Sequence, residues 1–388
     1  MLSQSGPFVL LEMSKKRCGQ PGAGAVRVLF MKTARAFVGL VGLVFLCAAA
    51  RCVYGQEVHA VPQTEPGPDF VILDTDIGDD IDDAFALALV LRSPELKLVG
   101  ITTTFGDTEL RAKLVDRYMG SIGPKDIPVV PGVPTARNSV FTQAAYARTE
   151  PYYWGGCGNA MSALVTNEIE AYYARLAEQR KRDDAAGFLL DQIRAYPGQI
   201  TLIAIGPLFN VQAAIERDPA TFRKLKRVVL MGGSIYRGYD DAMTRAHTPP
   251  QAEWNISRDP AGLKALLASG VPAFMMPLDS TQVHLEPRER EAIFAHGSPL
   301  TDQLTLLYHQ WMANSEWHPS GPTLFDPVAV AYAVRPESCP AKPMRIEVDE
   351  RGMTRPVEGA PNAQVCLEVD EKGFLKMLED RITADSVR

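Results

Sequence analysis

The chain is poor in cysteine, carries no excess of basic residues and has no hydrophobic run that spans a bilayer comfortably. Six cysteines are spread over 388 residues, and only Cys157, Cys339 and Cys366 lie beyond an N-terminal leader. Three widely spaced cysteines make no disulfide framework, so stability must come from a core, although one pair stays open, most simply Cys339 with Cys366. A formal net charge of −6 offers none of the basic face that a nucleic-acid polymer requires. There is no internal repeat and no low-complexity tract. Beyond the leader a P-loop, an HExxH pair and a GxSxG elbow are all missing, which removes the chemistries those motifs serve.

The leader has a recognisable form. Met31, Lys32 and Arg35 make a basic start, residues 36–50 are apolar but short for a span, and small residues follow up to Gly55. The expectation is a signal peptide over 31–55 and an exported protein, periplasmic or secreted, with no stable membrane anchor after cleavage. Residues 1–30 read as an upstream extension or a misassigned start, 56–68 as a linker, and 69–388 as one domain.

Residues 70–89 read FVILDTDIGDDIDDAFALAL. The apolar run 70–73 has the pattern of a buried parallel strand, and an apolar helical pattern begins at Ala84. Between them fall Asp74, Asp76, Asp79, Asp80, Asp82 and Asp83. Aspartate near a helix start serves as a cap and suits the helix dipole, which accounts for one or two of these but not for the group. Carboxylates so close raise each other's pKa and stay ionised only beside a compensating cation. All are oxygen donors with no Cys or His among them, which favours calcium or magnesium over zinc. The place, the C-terminal end of a buried strand, is where open α/β sheets bind ligands.

Strands and helices then alternate, with strands expected at 96–103, 127–130, 200–205, 227–231 and 273–277. Helices are expected at 109–119, 210–217, 287–295 and 300–314, with another opening at Asp326 and a last one from Glu371. Residues 134–160 break the pattern and read as a functional loop. Residues 344–349 and 364–369 read as a β-hairpin. The fold class expected is α/β: a mostly parallel central sheet flanked by helices, Rossmann-like, with a C-terminal β-hairpin and helix. Gly206 and Gly232–Gly233, each just after a strand, suggest backbone closely approaching a ligand.

The stretch DTDIGDDIDDAFAL resembles the aspartate fingerprint of the inosine-uridine nucleoside hydrolase family, in the form with two extra residues between D-x-D and D-D-A. TTTFGD, LIAIGPLFN, VVLMGG, AEWNISRDP, PLDST and FDPVAVAY follow in the family's order, covering almost all of the chain beyond the leader. The resemblance implies hydrolysis of ribonucleosides to free base and ribose with Ca2+ as cofactor. Asp76 matches the aspartate that binds calcium and deprotonates the attacking water. Asp83 matches a bidentate ligand, Ile205 the residue whose backbone carbonyl ligates, and Asp326 the distant aspartate completing the shell. Asp82 matches the residue that hydrogen-bonds the ribose hydroxyls. Glu253 and Asn255 match ribose-binding residues, Trp254 the aromatic between them, and Met231 the methionine under the sugar. Family members are commonly homodimers or homotetramers.

Two positions depart from the family pattern. Asp107 stands where the family has Asn, as a further substrate contact. Phe325 stands where the pyrimidine-capable branch has a histidine that helps protonate the leaving base. Help for the leaving group is then expected from His318 or His247 on a loop, or from stacking on Trp154, Trp254, Trp311 or Trp317, with a mild preference for purines. Two other readings stand beside this one. A nucleoside- or ribose-binding protein would keep the metal site with little turnover. An aspartyl phosphatase shares the strand-D-x-D opening but wants a small hydroxyl residue where this chain has Gly78.

Overall fold

A computed structural model describes residues 67–122, 126–136, 141–148, 184–315 and 321–384. Nine strands occur among them: β1 (Asp69–Thr75), β2 (Leu96–Thr103), β3 (Val129–Pro131), β4 (Ile200–Ala204), β5 (Arg227–Met231), β6 (Ala273–Met276), β7 (Ala341–Val348), β8 (Thr354–Val357) and β9 (Ala363–Cys366). They form one sheet in the order β3-β2-β1-β4-β5-β6-β9-β7-β8. Every pairing from β3 across to β9 is parallel, and β7 runs antiparallel to both β9 and β8.

The apolar strands alternate between two cores. Val71, Leu73, Ile203, Val229 and Met231 pack on one face with helices Asp82–Leu91, Pro299–Asn314, Phe325–Val334 and Glu371–Ile382. Ile72, Leu202, Ala204, Val228 and Leu230 pack on the other with helices Ala185–Ala195, Phe209–Arg217 and Pro260–Ser269. Burial on both faces explains why these strands read as unbroken apolar runs rather than as alternating ones. Helix Asp82–Leu91 is itself buried from Asp82 to Val90, because helix Phe325–Val334 packs along it.

The chain leaves β1 for β2 and β3 on one side, then crosses to β4 on the other. The sheet therefore has its switch point between β1 and β4, and a crevice opens there at the strands' C-terminal ends. Asp76 follows β1 and Ile205 follows β4, so the two segments singled out in the sequence meet at the switch point.

The C-terminal region is larger than the expected hairpin. The two expected segments do pair, β7 with β9, but β8 adds a third strand on the far side of β7. The sequence of β8, TRPV, is short and carries an arginine and a proline, so it gave no strand signal. β9 lies parallel to β6, which joins the whole unit to the main sheet. Helix Ala185–Ala195 was not expected either, and the described part of the 134–160 segment contains a short helix, Ala144–Arg148.

A disulfide joins Cys339 to Cys366, with Cα atoms 5.7 Å apart and a sequence separation of 27. Both cysteines are buried, so the bond ties β9 to the end of helix Phe325–Val334 from within the core. Closing a loop of this length stabilises by about 3 kcal/mol in the chain-entropy account. The double variant Cys339→Ala/Cys366→Ala is expected to unfold several degrees lower by calorimetry; an unchanged melting temperature would show that the bond adds nothing.

Candidate active site

β1 ends at Thr75, and the helix that follows begins at Asp82, two residues before its apolar pattern. Asp82 and Asp83 therefore occupy a first helical turn. Asp326 occupies another, on helix Phe325–Val334. Aligned helix N-termini favour anions, so both helices help to hold carboxylates in the crevice. One oxygen from each of Asp82, Asp83 and Asp326 lies within 4.8 Å of the others, and all three residues are buried. The Asp326 backbone N–H donates to Asp82 Oδ2 at 3.2 Å, and the Thr75 hydroxyl donates to Asp83 Oδ1. Asp74 belongs to the sheet instead: its Oδ1 accepts from Thr102 Oγ1 at 2.6 Å and from Asn210 Nδ2 at 2.7 Å.

The electrostatics follow from burial. Asp82, Asp83 and Asp326 are pushed well above the usual carboxylate range, first by loss of water and then by neighbouring carboxylates: Asp80 and Asp76 for Asp82, Asp76 and Asp82 for Asp83, and Asp82 and Asp83 above all for Asp326. Asp76 rises to about 7, chiefly through burial, although the Arg111 guanidinium pulls it down. Asp80 rises to about 6, again mainly by burial. A hard divalent cation is what an all-oxygen donor set of this kind fits, and it would return these groups to their ionised form.

Asp76, Asp82, Asp83 and Asp326 line a cavity of about 750 Å³. Ile205, Met231, Glu253, Trp254 and Asn255 line the same cavity. Residues scattered over 250 positions of sequence thus share one space because β1, β4 and β5 end side by side. Asn255 Nδ2 donates to the Ile205 carbonyl at 3.1 Å and to the Met231 carbonyl at 3.3 Å, fixing its amide between β4 and β5. A carbonyl has two lone pairs, so Ile205 keeps one for another partner. The Glu253 carboxylate accepts from the backbone N–H groups of Gly233, Asn255 and Ile256, capping helix Trp254–Arg258. Gly233 therefore approaches a protein carboxylate.

Gly206 makes the closest approach. A Cβ there would lie 2.8 Å from Asp76 Oδ1 and 2.9 Å from the Asp76 nitrogen, so only glycine leaves Asp76 its place. Gly206→Ala is expected to displace the Asp76 carboxylate and lower activity about 100-fold, the cost of misplacing a reacting group by about an ångström. Activity within twofold of the parent would show that the neighbouring side chains yield freely.

The remaining expected residues separate. The Asp107 carboxylate caps helix Thr108–Ser121, accepting from Leu110 N at 3.1 Å, and is not among the residues lining the cavity. His247 is exposed and pairs through Nδ1 with Asp240 Oδ1 at 3.0 Å. Trp254 and Trp311 line the cavity, the second almost fully buried. Trp154, Trp317 and His318 lie outside the described residues. Phe325 meets Tyr239 edge to face, with ring centroids 5.8 Å apart. Tyr239 was not anticipated. Its hydroxyl accepts from the Trp254 N–H at 2.9 Å and lies 3.5 Å from Glu253 Oε1, inside the cavity wall. It stands on the segment between β5 and helix Trp254–Arg258, which forms neither strand nor helix and so offers no periodicity to read.

Comparison with known proteins agrees with this arrangement. Residues 71–376 match the family model described as inosine-uridine preferring nucleoside hydrolase. A probable uridine nucleosidase 2 of Oryza sativa subsp. japonica is 28% identical over 312 residues, covering 76% of this chain and 82% of that protein. A pyrimidine-specific ribonucleoside hydrolase RihA of Citrobacter koseri is 29% identical over 334 residues, covering 80% and 97%. Among solved structures, a plant nucleoside hydrolase superposes with a TM-score of 0.65 at 24% identity, covering 82% of this chain and 99% of that one. The aspartate loop, the switch-point crevice and a match running through nearly the whole described domain lead to one assignment: the chain belongs to the inosine-uridine preferring nucleoside hydrolase family.

Proposed function

We propose that this nucleoside hydrolase cleaves the N-glycosidic bond of ribonucleosides with Asp76 as general base and calcium as its cofactor. The observation that carries this is the convergence of Asp76, Asp82, Asp83 and Asp326 with Asn255 and Met231 on one cavity. Asp76, Asp83, Asp326 and the Ile205 carbonyl are the groups that would hold the ion. Calcium bound there supplies a positive charge that orients ribose hydroxyls and acidifies the attacking water. Asp82 accepts a hydrogen bond from the sugar, and Asn255, braced by two carbonyls, contacts it from the opposite strand end. Asp76 takes the water's proton as the new C–O bond forms at the anomeric carbon. The C–N bond breaks, and the base departs with the bonding electrons and takes a proton from solvent, to which Asp76 returns the one it accepted. The flat rings of Trp254, Tyr239 and Phe325 suit a planar leaving group.

The test is release of base and reducing sugar from inosine, guanosine, uridine and cytidine, with calcium and with a chelator. Calcium-dependent release supports the reading and ranks the bases. No release from any of them, with calcium still bound, favours a binding protein that has kept the metal site.

Export is proposed alongside. The leader over 31–55 motivates it, and a buried disulfide supports an oxidising compartment. An N-terminus near residue 56 in the exported fraction is expected; an intact leader on protein confined to the cytosol would refute it.

A further inference from the structure

The loop between β1 and the first helix holds more aspartates than the cluster of Asp82, Asp83 and Asp326 uses. Charges of one sign on a short loop repel, so something must hold its backbone. Its carbonyls supply the answer. Arg111 Nη1 donates to the carbonyls of Asp76 and of Ile77, the latter at 3.0 Å. Thr142 Oγ1 donates to the carbonyls of Gly78, at 2.9 Å, and of Asp79. The Gln143 backbone N–H donates to Gly78 as well, and Gln143 Nε2 donates to the Asp80 carbonyl at 2.8 Å. Each carbonyl from residue 76 to residue 80 is thereby held.

Arg111 does more than its share. It is buried, 2% exposed, on helix Thr108–Ser121. Its Nη2 pairs with Asp79 Oδ2 at 2.6 Å, and its Nε donates to the carbonyl of Phe105 at 2.9 Å. Phe105 has a φ of 58°, the left-handed region, and its ring lines the cavity. Gly78, at a φ of 129°, lies flat against Phe141, where a Cβ would fall 2.6 Å from the ring. The guanidinium sits 5.0 Å from that same ring. Neither Arg111, Thr142 nor Gln143 lines the cavity holding the carboxylates.

We propose that Arg111 is a positioning residue for Asp76: with Thr142 and Gln143 it holds the loop's carbonyls from behind, so that the carboxylates stand in place before any ion arrives. The planar fork explains why arginine and not lysine is needed, since one group must reach four acceptors on two chain segments. Asp79 serves as the fork's counter-ion.

The inference rests on the reading of Asp76 as base, and the experiment separates the two. Arg111→Lys and Arg111→Met are compared with the parent by hydrogen exchange of calcium-free protein, by calorimetric calcium titration and by steady-state kinetics. Exchange of amides 76–83 is expected to quicken in both variants. Calcium affinity should weaken by roughly 10-fold to 100-fold, the range seen when groups orienting a ligand are lost. Activity should fall in kcat by about 100-fold with KM little changed, as for a misplaced reacting group. Should Arg111→Met not fold, Thr142→Val removes the hydroxyl that holds the Gly78 and Asp79 carbonyls of the same loop, a milder loss, and is expected to move all three readouts in the same direction. Parent-like exchange and calcium affinity in the lysine variant would overturn the proposal. So would a variant that is less stable yet keeps parent calcium affinity and kcat while folded. If the parent itself releases no base, the functional reading fails, and exchange and calcium binding alone decide the role of Arg111.

Discussion

Asp76→Asn should reduce kcat for base release by about 1,000-fold, within the range that general bases contribute, while binding of ribose partly survives. The substitution is isosteric. Asn can still offer an oxygen towards a cation, and the neighbours that crowd Asp76, Gly206 and Arg111 among them, meet a side chain of the same shape. What is lost is the ability to accept a proton. Kinetics on the best nucleoside and calorimetry with ribose make the comparison. Equal loss of turnover and binding would reduce Asp76 to a ligand, and unchanged turnover would move the base elsewhere.

The second large effect concerns the cation. Chelation is expected to bring base release to background, and calcium at about 100 times its dissociation constant should stabilise the fold by about 2.7 kcal/mol. Asp326→Asn separates binding from folding through the sign of its effects. In calcium-free protein Asp326 is a buried acid repelled by Asp82, Asp83 and Asp76, so the neutral variant should melt no lower than the parent. The same change removes a charge from the ion's surroundings, so calcium affinity should fall on the order of 100-fold and the calcium-induced rise in melting temperature should vanish. Differential scanning calorimetry with and without calcium reads both. A variant that melts lower without calcium, yet rises with it like the parent, would make Asp326 structural.

The parts of this protein that could be read from sequence are those where local pattern and tertiary role agree. The strands at β1, β4 and β5 are apolar because both faces are covered, and the aspartates stand out because nothing local explains so many. Asn255 and Met231 were reached only through resemblance, since a lone polar or sulfur side chain has no pattern of its own. Arg111 was invisible. It sits among charged and apolar residues on an amphipathic helix and reads as a solvated position; only contact with a loop 35 residues earlier buries it. Tyr239 was hidden in the same way, on a loop whose course is set by Asp240, Gln282 and Thr248 rather than by periodicity. The resemblance makes Glu253 a sugar contact; what the structure shows of its carboxylate is the cap of a five-residue helix, a use that only the backbone geometry reveals.

The two ends of the sheet have a consequence for life at high concentration. β3 spans three residues and closes on Pro131, while β8 spans four and carries Arg355 and Pro356. A proline has no N–H to offer an incoming strand, and a short, charged border gives it little to grip. A nine-stranded sheet would otherwise present two open templates for a second molecule to extend. With both borders blunted, this sheet is built to stay finite, and crowding should not drive it into edge-to-edge polymers.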